Sequence, residues 1–213
     1  MELVMGLIDF ILHVDVHLAE IIQTYGTWTY LIIFLIIFCE TGLVVTPFLP
    51  GDSLLFVIGA FAAAGALEVK LAVFLLITAA IVGNTVNYLI GRLIGQQIMQ
   101  SKREIIKKEY LDKTHAFYEK YGGKALFLSR FVPIIRTIAP FVAGVGKMSV
   151  SKFAWYNALG GIIWVLLFVL AGFYFGNIPI VKNNLTIVIL SIIFVSLLPT
   201  FYAYLTSRGK SVR

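Results

Sequence analysis

The chain has 213 residues, of which 60% are hydrophobic and 13% charged, and its mean hydropathy is +0.93. This apolar content excludes a soluble domain and indicates an all-α, polytopic membrane protein with one membrane domain. The formal net charge is +6, which an excess of Lys and Arg in cytoplasmic loops explains better than nucleic-acid binding. The single cysteine, Cys39, excludes a disulfide framework or a Cys-based metal cluster within one chain.

Residues 1–27 are the first predicted element, an amphipathic helix that lies in the membrane interface. Polar side chains recur there at steps of three and four, on one helical stripe. They are Asp9, His13, His17 and Glu20. His13 and His17 have the spacing of a metal-binding pair but lack a third ligand, so no metal site is expected. The segment also lacks the basic start and small-residue cleavage site of a signal peptide.

Residues 28–95 are predicted to form a first repeat that contains a break. The span 28–49 ends in a proline-rich stretch, and the apolar run 53–67 would be only about 22 Å long as a helix, short of the roughly 30 Å hydrocarbon core. We therefore predict a re-entrant hairpin over 44–67, followed by a full span over 71–91. The residues that shape this hairpin are Pro47, Pro50 and Gly51.

Residues 96–122 are polar and charged, and we predict a cytoplasmic linker there. A second repeat follows over 123–176, and it begins with a second broken segment, a re-entrant hairpin over 125–147. The residues that interrupt this apolar segment are Arg130, Pro133, Arg136 and Pro140. The last transmembrane helix is predicted over 184–206, which makes about four full spans in total.

The distribution of positive charge predicts the orientation. With the linker in the cytoplasm and both hairpins returning to their own side, both termini are cytoplasmic. Of all Lys and Arg residues, only Lys70 and Lys182 then lie in external loops, as the positive-inside rule requires. The charge bias is equally compatible with two full crossings, and the short 53–67 run favours hairpins.

An ungapped shift of 81 residues superimposes glycines of the two repeats. The pairs are Gly65 with Gly146, Gly91 with Gly172, and Gly95 with Gly176. Because the hairpins would enter from opposite faces, the pattern predicts an inverted repeat with a site at the membrane midplane, as in many secondary transporters. The alternative is a chance alignment of small residues, which are common in membrane helices.

Two arginines in the second broken segment are candidates for binding phosphate. A charge at bilayer depth costs roughly 2.5–3.5 kcal/mol, so Arg130 and Arg136 require a reason to be there. They are about 600° apart on an ideal helix, and a bend at Pro133 would turn both toward one cavity. Guanidinium groups suit phosphate. The alternative, compatible with the first, is an ion pair with an acid of the other hairpin.

Two acids in the first broken segment are candidates for proton coupling. Glu40 ends an apolar run and has no local structural role, so we interpret it as a group that changes protonation as the cavity opens. Asp52 follows Pro50 and Gly51, where it is either a proton site or a helix N-cap.

Polar and aromatic residues inside the spans have simpler interpretations. Asn87 and Asn157 are predicted to link helices by hydrogen bonds. The three tryptophans include candidates for anchors at the membrane interface; the three are Trp28, Trp155 and Trp164. No motif supplies a nucleophile with a base, so we expect neither an enzyme nor a cofactor.

The two charged motifs resemble those of the DedA family of bacterial inner-membrane proteins, which shares its domain (the SNARE-associated or VTT domain) with eukaryotic lipid scramblases. The matching residues run from Glu40 through Pro47-Phe-Leu-Pro50-Gly51-Asp52, and from Arg130-Phe-Val-Pro133-Ile-Ile-Arg136 to Ala143-Gly144. The resemblance implies re-entrant hairpins and lipid transport that depends on the proton-motive force, with undecaprenyl phosphate as the lipid. It also implies functional roles for Glu40, Asp52, Arg130 and Arg136. Asn84 departs from the acid found in many members.

We therefore predict a flippase for a lipid phosphate in the bacterial inner membrane, with membrane lipid and protons as its partners. Three alternatives stay open at this point: a proton-coupled antiporter of small cations or drugs, a general phospholipid scramblase, and a scaffold that transports nothing. No nucleic-acid partner is expected, and the sequence leaves a homo-oligomer open.

Overall fold

The computed structural model describes residues 14–43, 51–100 and 122–208, and all regular structure in these ranges is helical. The elements in chain order are α1 (Val14–Tyr25), a 3-10 turn (Gly26–Trp28), α2 (Thr29–Gly42), α3 (Gly51–Ala63), α4 (Val69–Gln100), α5 (122–129), α6 (Pro133–Val145), α7 (Val150–Phe175), α8 (Pro179–Lys182) and α9 (Leu185–Arg208). Pro47, Pro50, the start of the N-terminal element and most of the predicted linker lie outside the described residues.

Three described segments are long and apolar enough to cross a membrane. They are Val14–Gly42, Val69–Ile94 and Val150–Phe175. Shorter apolar helices accompany them, at Gly51–Ala63, Ile135–Val145 and Leu185–Ser196. The prediction of an all-α, multi-pass membrane protein is confirmed, whereas the re-entrant hairpins and a fourth span remain predictions.

The first span differs from its prediction at its N-terminal end. Helix α1 continues through a three-residue 3-10 turn into α2, so the candidate span begins at Val14 rather than at residue 28. Val14 and Leu18 of α1 are buried. The described part of the predicted interfacial helix is thus joined directly to α2.

Helices α3 and α6 are the short apolar helices next to the two broken segments. Each has 13 residues, and at 1.5 Å per residue each is about 20 Å long, too short to cross the hydrocarbon core. Helix α3 is buried nearly all round, with 11 of its residues inaccessible. A helix buried on every face packs against protein rather than lipid.

The break in the second segment lies earlier than the sequence predicts. We expected a bend at Pro133 within one helix, but a turn over 130–132 separates α5 from α6, and Pro133 opens α6. Proline suits this first helical position because its fixed φ is helical and its missing N–H is not needed there. Arg130 therefore belongs to the turn, Arg136 to the first part of α6, and Pro140 to its interior.

The chain forms two compact units. The first is drawn from Met1–Ile36, Phe48–Ile77 and Trp164–Arg213, and the second from Ile37–Pro47 and Thr78–Ile163. Each unit contains one short apolar helix, α3 in the first and α6 in the second.

Within the first unit, glycines bring α3 and α7 into backbone contact. A Cβ added to Gly59 of α3 would meet the carbonyl of Val169, and one added to Gly172 of α7 would meet the carbonyl of Phe56. Both contacts are closer than real Cβ atoms come, so only glycine fits at either position.

Within the second unit, α6 and α4 repeat the same pair of contacts. Gly144 of α6 lies against the carbonyl of Tyr88, and Gly91 of α4 lies against the carbonyl of Phe141. The equivalent residues of α4 and α7 differ by 81 positions, as the sequence shift predicts, whereas those of α3 and α6 differ by 85. The ungapped alignment is therefore wrong for the short helices. Its pairing of Gly65 with Gly146 joins two different conformations, with φ of +81° and −74°.

Candidate functional site

The centre of the second unit contains an ion pair between Glu40 and Arg136. Glu40 lies in the last turn of α2 and is 1% exposed. Its Oε1 accepts a hydrogen bond from Nη2 of Arg136 at 2.5 Å, and the Arg136 side chain is 9% exposed. The ion pair that the sequence left as an alternative is therefore formed, with Glu40 as its acid.

Arg130 lies near this pair and donates to two neutral groups. Its Nη1 donates to Oδ1 of Asn157 at 3.0 Å, and its Nη2 donates to the carbonyl of Ala80 at 3.1 Å. The residue is 5% exposed and lies within electrostatic reach of both Arg136 and Glu40. The structure thus gathers three of the four predicted charged residues in one unit.

Helix α7 provides the space that Arg130 occupies. A Cβ on Gly161 would lie 3.5 Å from Nη2 of Arg130, and one on Gly160 would lie 3.3 Å from its Cδ. Two consecutive glycines on the helix that also bears Asn157 therefore let the guanidinium reach the backbone of α4.

Asn157 is the residue that sequence reasoning undervalued. It is 1% exposed, accepts from Arg130, and donates through Nδ2 to the carbonyl of Ile81 at 3.0 Å and to Oγ1 of Thr85 at 3.3 Å. The predicted inter-helix hydrogen bonds of Asn157 are confirmed, as are those of Asn87. Asn157 has the additional role of binding a buried guanidinium. The sequence feature that could have indicated this role is the presence of an asparagine in an apolar span.

Asn84, the departure noted in the sequence, also faces Arg130. Its amide has two orientations. In one, Nδ2 donates to Oδ1 of Asn157 at 3.1 Å. We assign the other, which gives up that hydrogen bond; there the oxygen accepts from Nη1 of Arg130 at 2.8 Å and the nitrogen donates to the carbonyl of Thr41 at 3.2 Å. A neutral amide therefore stands where an acid would add a second negative charge to the site.

Asp52 belongs to the first unit and has its own partners. Its Oδ1 accepts from Nε1 of Trp164 at 2.8 Å, and its Oδ2 accepts from Oγ of Ser196 at 2.9 Å. Asp52 lies in the first turn of α3, one residue inside the helix that Gly51 begins, where a negative charge is favourable. The carboxylate thus joins α3 to α7 and α9.

Among the three tryptophans, Trp164 is not an interface anchor. Its side chain is 1% exposed, and its indole N–H donates to Asp52. Trp28 and Trp155 are 69% and 68% exposed, as residues at a membrane interface would be.

We expect Asn157→Leu to destabilise the protein by about 3 kcal/mol, because it leaves a buried guanidinium with one partner fewer. Thermal unfolding of the purified protein in detergent measures this loss. Asn184→Leu, the same substitution at an exposed asparagine, is the matched control and should have little effect. Equal melting temperatures for the two variants would contradict this role of Asn157.

Trp164→Phe removes the indole donor to Asp52 and keeps an aromatic ring. We expect a loss of about 1.5–3 kcal/mol, the usual value of a hydrogen bond to a charged group. The same unfolding assay applies, with the exposed Trp155→Phe as control. An unchanged melting temperature would show that the Asp52 carboxylate does not need this donor.

The fold and the site define a multi-pass membrane protein with a buried arginine–glutamate site. A family model described as the VTT domain matches residues 49–174, and the chain belongs to this family, the DedA family of membrane proteins. The matched range includes Asp52 and both arginines, and Glu40 precedes it.

Relatives include Protein DedA of Escherichia coli (strain K12), which is 59% identical over 100% of this chain and 99% of its own length. An uncharacterized membrane protein of Mycobacterium tuberculosis is 42% identical over 78% of this chain and 74% of its own. Inner membrane protein YqjA of Escherichia coli (strain K12) is 34% identical over 71% of this chain and 69% of its own length. No solved structure matches the chain.

Proposed function

We propose that this protein transports a lipid phosphate, with undecaprenyl phosphate as the specific substrate, across the bacterial inner membrane in a proton-dependent manner. The observation that carries the proposal is the charge of the polar core in the second unit. Arg130 and Arg136 contribute two positive charges there, and Glu40 contributes one negative charge. Among the described residues of this core, positive charge thus exceeds negative charge by one, and such a balance in a poorly hydrated site favours an anionic ligand.

The two arginines have different surroundings, which suggests different roles. Arg130 is bound to a backbone carbonyl and to neutral amides, so it is suited to remain in place as a fixed positive charge. Arg136 is bound to a carboxylate, which loses its negative charge when it takes up a proton. We propose that Arg136 contacts the phosphate directly and that Arg130 adds attraction.

The coupling follows from competition for Arg136. When Glu40 is protonated, it no longer holds the guanidinium by charge, and a phosphate can replace it. When the phosphate leaves, Glu40 releases its proton and the pair with Arg136 forms again. Proton and phosphate are therefore bound together and released together, and this lowers the charge that crosses the membrane. No covalent step is involved, so we propose a transporter rather than an enzyme.

The proposed membrane topology keeps the two hairpins at 44–67 and 125–147, with both termini in the cytoplasm. The matching glycine contacts of α3 with α7 and of α6 with α4 support an inverted repeat. Asp52 is the proposed second proton site, and its carboxylate accepts hydrogen bonds from Trp164 and Ser196. The lipid tail stays in the bilayer beside the protein.

Glu40→Gln is expected to uncouple transport from the proton gradient. A glutamine keeps the shape of the side chain but cannot exchange a proton, so an imposed pH gradient no longer raises the initial rate. The measurement is movement of a labelled polyprenyl phosphate in proteoliposomes with and without the gradient. If Glu40→Gln responds to the gradient like the wild type, Glu40 is not the proton site.

Two vesicle assays separate this proposal from its alternatives. A pH-sensitive dye with small cations or cationic drugs, and without polyprenyl phosphate, detects a cation antiporter. Labelled phosphatidylethanolamine, a lipid with no net charge, detects a general scramblase. We expect neither activity above that of empty vesicles, because the site already has a positive excess and gains nothing from a cation or a neutral headgroup. Robust cation-driven proton movement would replace the proposal with an antiporter.

A further inference from the structure

Asn87 makes hydrogen bonds on both sides of the ion pair. It is 0% exposed, in the middle of α4. Its Nδ2 donates to the carbonyl of Thr137 at 2.8 Å and to the carbonyl of Thr41 at 3.3 Å. Thr41 directly follows Glu40 and Thr137 directly follows Arg136. One side-chain amide therefore joins the backbone next to each partner of the pair.

Each carbonyl lies at or next to an irregular point of its helix. Helix α2 ends at Gly42, so the carbonyl of Thr41 is among the last four, which have no donor within an α-helix. In α6, Pro140 has no N–H for the carbonyl of Arg136, the residue directly before Thr137. Asn87 is thus a donor from a third helix to a carbonyl at a helix end and to one that neighbours a carbonyl without its helical donor.

The remaining polar atom of Asn87 argues against a role in packing alone. Among the described residues, its Oδ1 is buried and has no hydrogen-bond partner. Buried polar groups are nearly always paired, and an exception calls for an explanation. Here the Nδ2 group of Asn87 donates to both backbone carbonyls, while its Oδ1 accepts from none of the described residues. This arrangement indicates that Asn87 fixes the positions of those two carbonyls.

We propose that Asn87 is a positioning residue for the Glu40–Arg136 pair, a role that rests on the proposed function of that pair in proton-coupled transport. Asn87 holds α2 and α6 at the residues adjacent to the pair. It therefore keeps the Glu40 carboxylate and the Arg136 guanidinium in the relative position in which a phosphate can replace protonated Glu40 at Arg136. Without it, both side chains remain, but Glu40 is no longer held where it competes with a phosphate for Arg136.

The test compares Asn87→Leu, which removes both hydrogen bonds at similar volume, with the wild type in proteoliposomes. The readout is the ratio of the initial rates with and without a pH gradient, measured with labelled polyprenyl phosphate. We expect this ratio to fall to about one, as for Glu40→Gln, and the double variant to equal Glu40→Gln alone, since residues acting as a unit are not additive. Asn184→Leu, at an exposed site, should keep the wild-type ratio.

If Asn87 has only a structural role, Asn87→Leu gives a different result. The substitution then lowers the amount of folded protein and leaves the ratio of initial rates with and without the pH gradient unchanged. That outcome would overturn the inference. If Asn87→Leu does not fold, Asn87→Asp serves instead, since it keeps the shape but turns an acceptor toward both carbonyls, and the same fall in ratio is expected.

A second measurement keeps the inference separate from the proposed function. The melting temperatures of Asn87→Leu, Glu40→Gln and the double variant in detergent test the contact without any transport. We expect the two losses to be less than additive, and additive losses would overturn the positioning role. If the wild type moves no lipid phosphate, the proposed function fails while this thermal cycle still decides the role of Asn87.

Discussion

Arg136→Ala should reduce transport of a labelled polyprenyl phosphate by about 100-fold or more, which corresponds to about 2.7 kcal/mol in the rate. The guanidinium is the partner for which Glu40 and the phosphate are proposed to compete, so its loss removes the binding group rather than weakening it. The variant should also be less stable by about 3–5 kcal/mol, because the buried Glu40 carboxylate loses its countercharge.

Loss of stability and loss of transport can be separated with a second substitution. In Arg136→Gln combined with Glu40→Gln, both charges disappear and two neutral amides remain, so most of the stability should return. Transport should not return, because the arginine that contacts the phosphate directly is gone and Arg130 alone does not replace it. Lys152→Ala, which removes a positive charge from an exposed position of α7, controls for net charge. Wild-type transport by Arg136→Ala would refute the headgroup role of this arginine.

Gly172→Val should be among the most destabilising single substitutions in the first unit, by about 3 kcal/mol. Its Cβ would overlap the carbonyl of Phe56, which is backbone and has no other rotamer to adopt. The yield and melting temperature of the purified protein measure the effect. Ala154→Val, which enlarges an exposed small residue of the same helix, should be tolerated.

The equivalent substitution in the second unit, Gly91→Val, should have an effect of similar size. Gly91 lies against the carbonyl of Phe141 just as Gly172 lies against that of Phe56. A protein that accepts valine at one of these glycines and not at the other would contradict the structural equivalence of α4 and α7.

The sequence predicts the membrane class and the charged residues of the site, because each charge is costly in an apolar segment and therefore stands out. The partners of those charges depend on contacts between residues far apart in the chain. Glu40 and Arg136 are separated by 96 positions, and Arg130 and Asn157 by 27. Local pattern did not distinguish Glu40 from Asp52 as the acid that pairs with Arg136.

Two further differences have local causes. A tryptophan in an apolar helix has the same local sequence pattern whether it faces the membrane interface or a buried carboxylate, so the sequence does not identify Trp164 as the buried one. The ungapped shift of 81 does not fit the short helices, whose glycine contacts have an offset of 85. Helix α3 continues for four residues after Gly59, and α6 for one residue after Gly144, which accounts for three of the four residues. The connecting segments, 64–68 and 146–149, account for the fourth, and an ungapped comparison cannot represent either difference.

Recognition of a lipid phosphate by this site is tested most directly by transport with the purified wild-type protein. Proteoliposomes carry a labelled polyprenyl phosphate or the matching neutral polyprenol, and an impermeant reagent reports which leaflet holds the label. We expect protein-dependent movement of the phosphate-bearing lipid, none of the neutral lipid, and loss of movement in Arg136→Ala. Equal movement of both lipids, or no movement of either, would contradict this recognition.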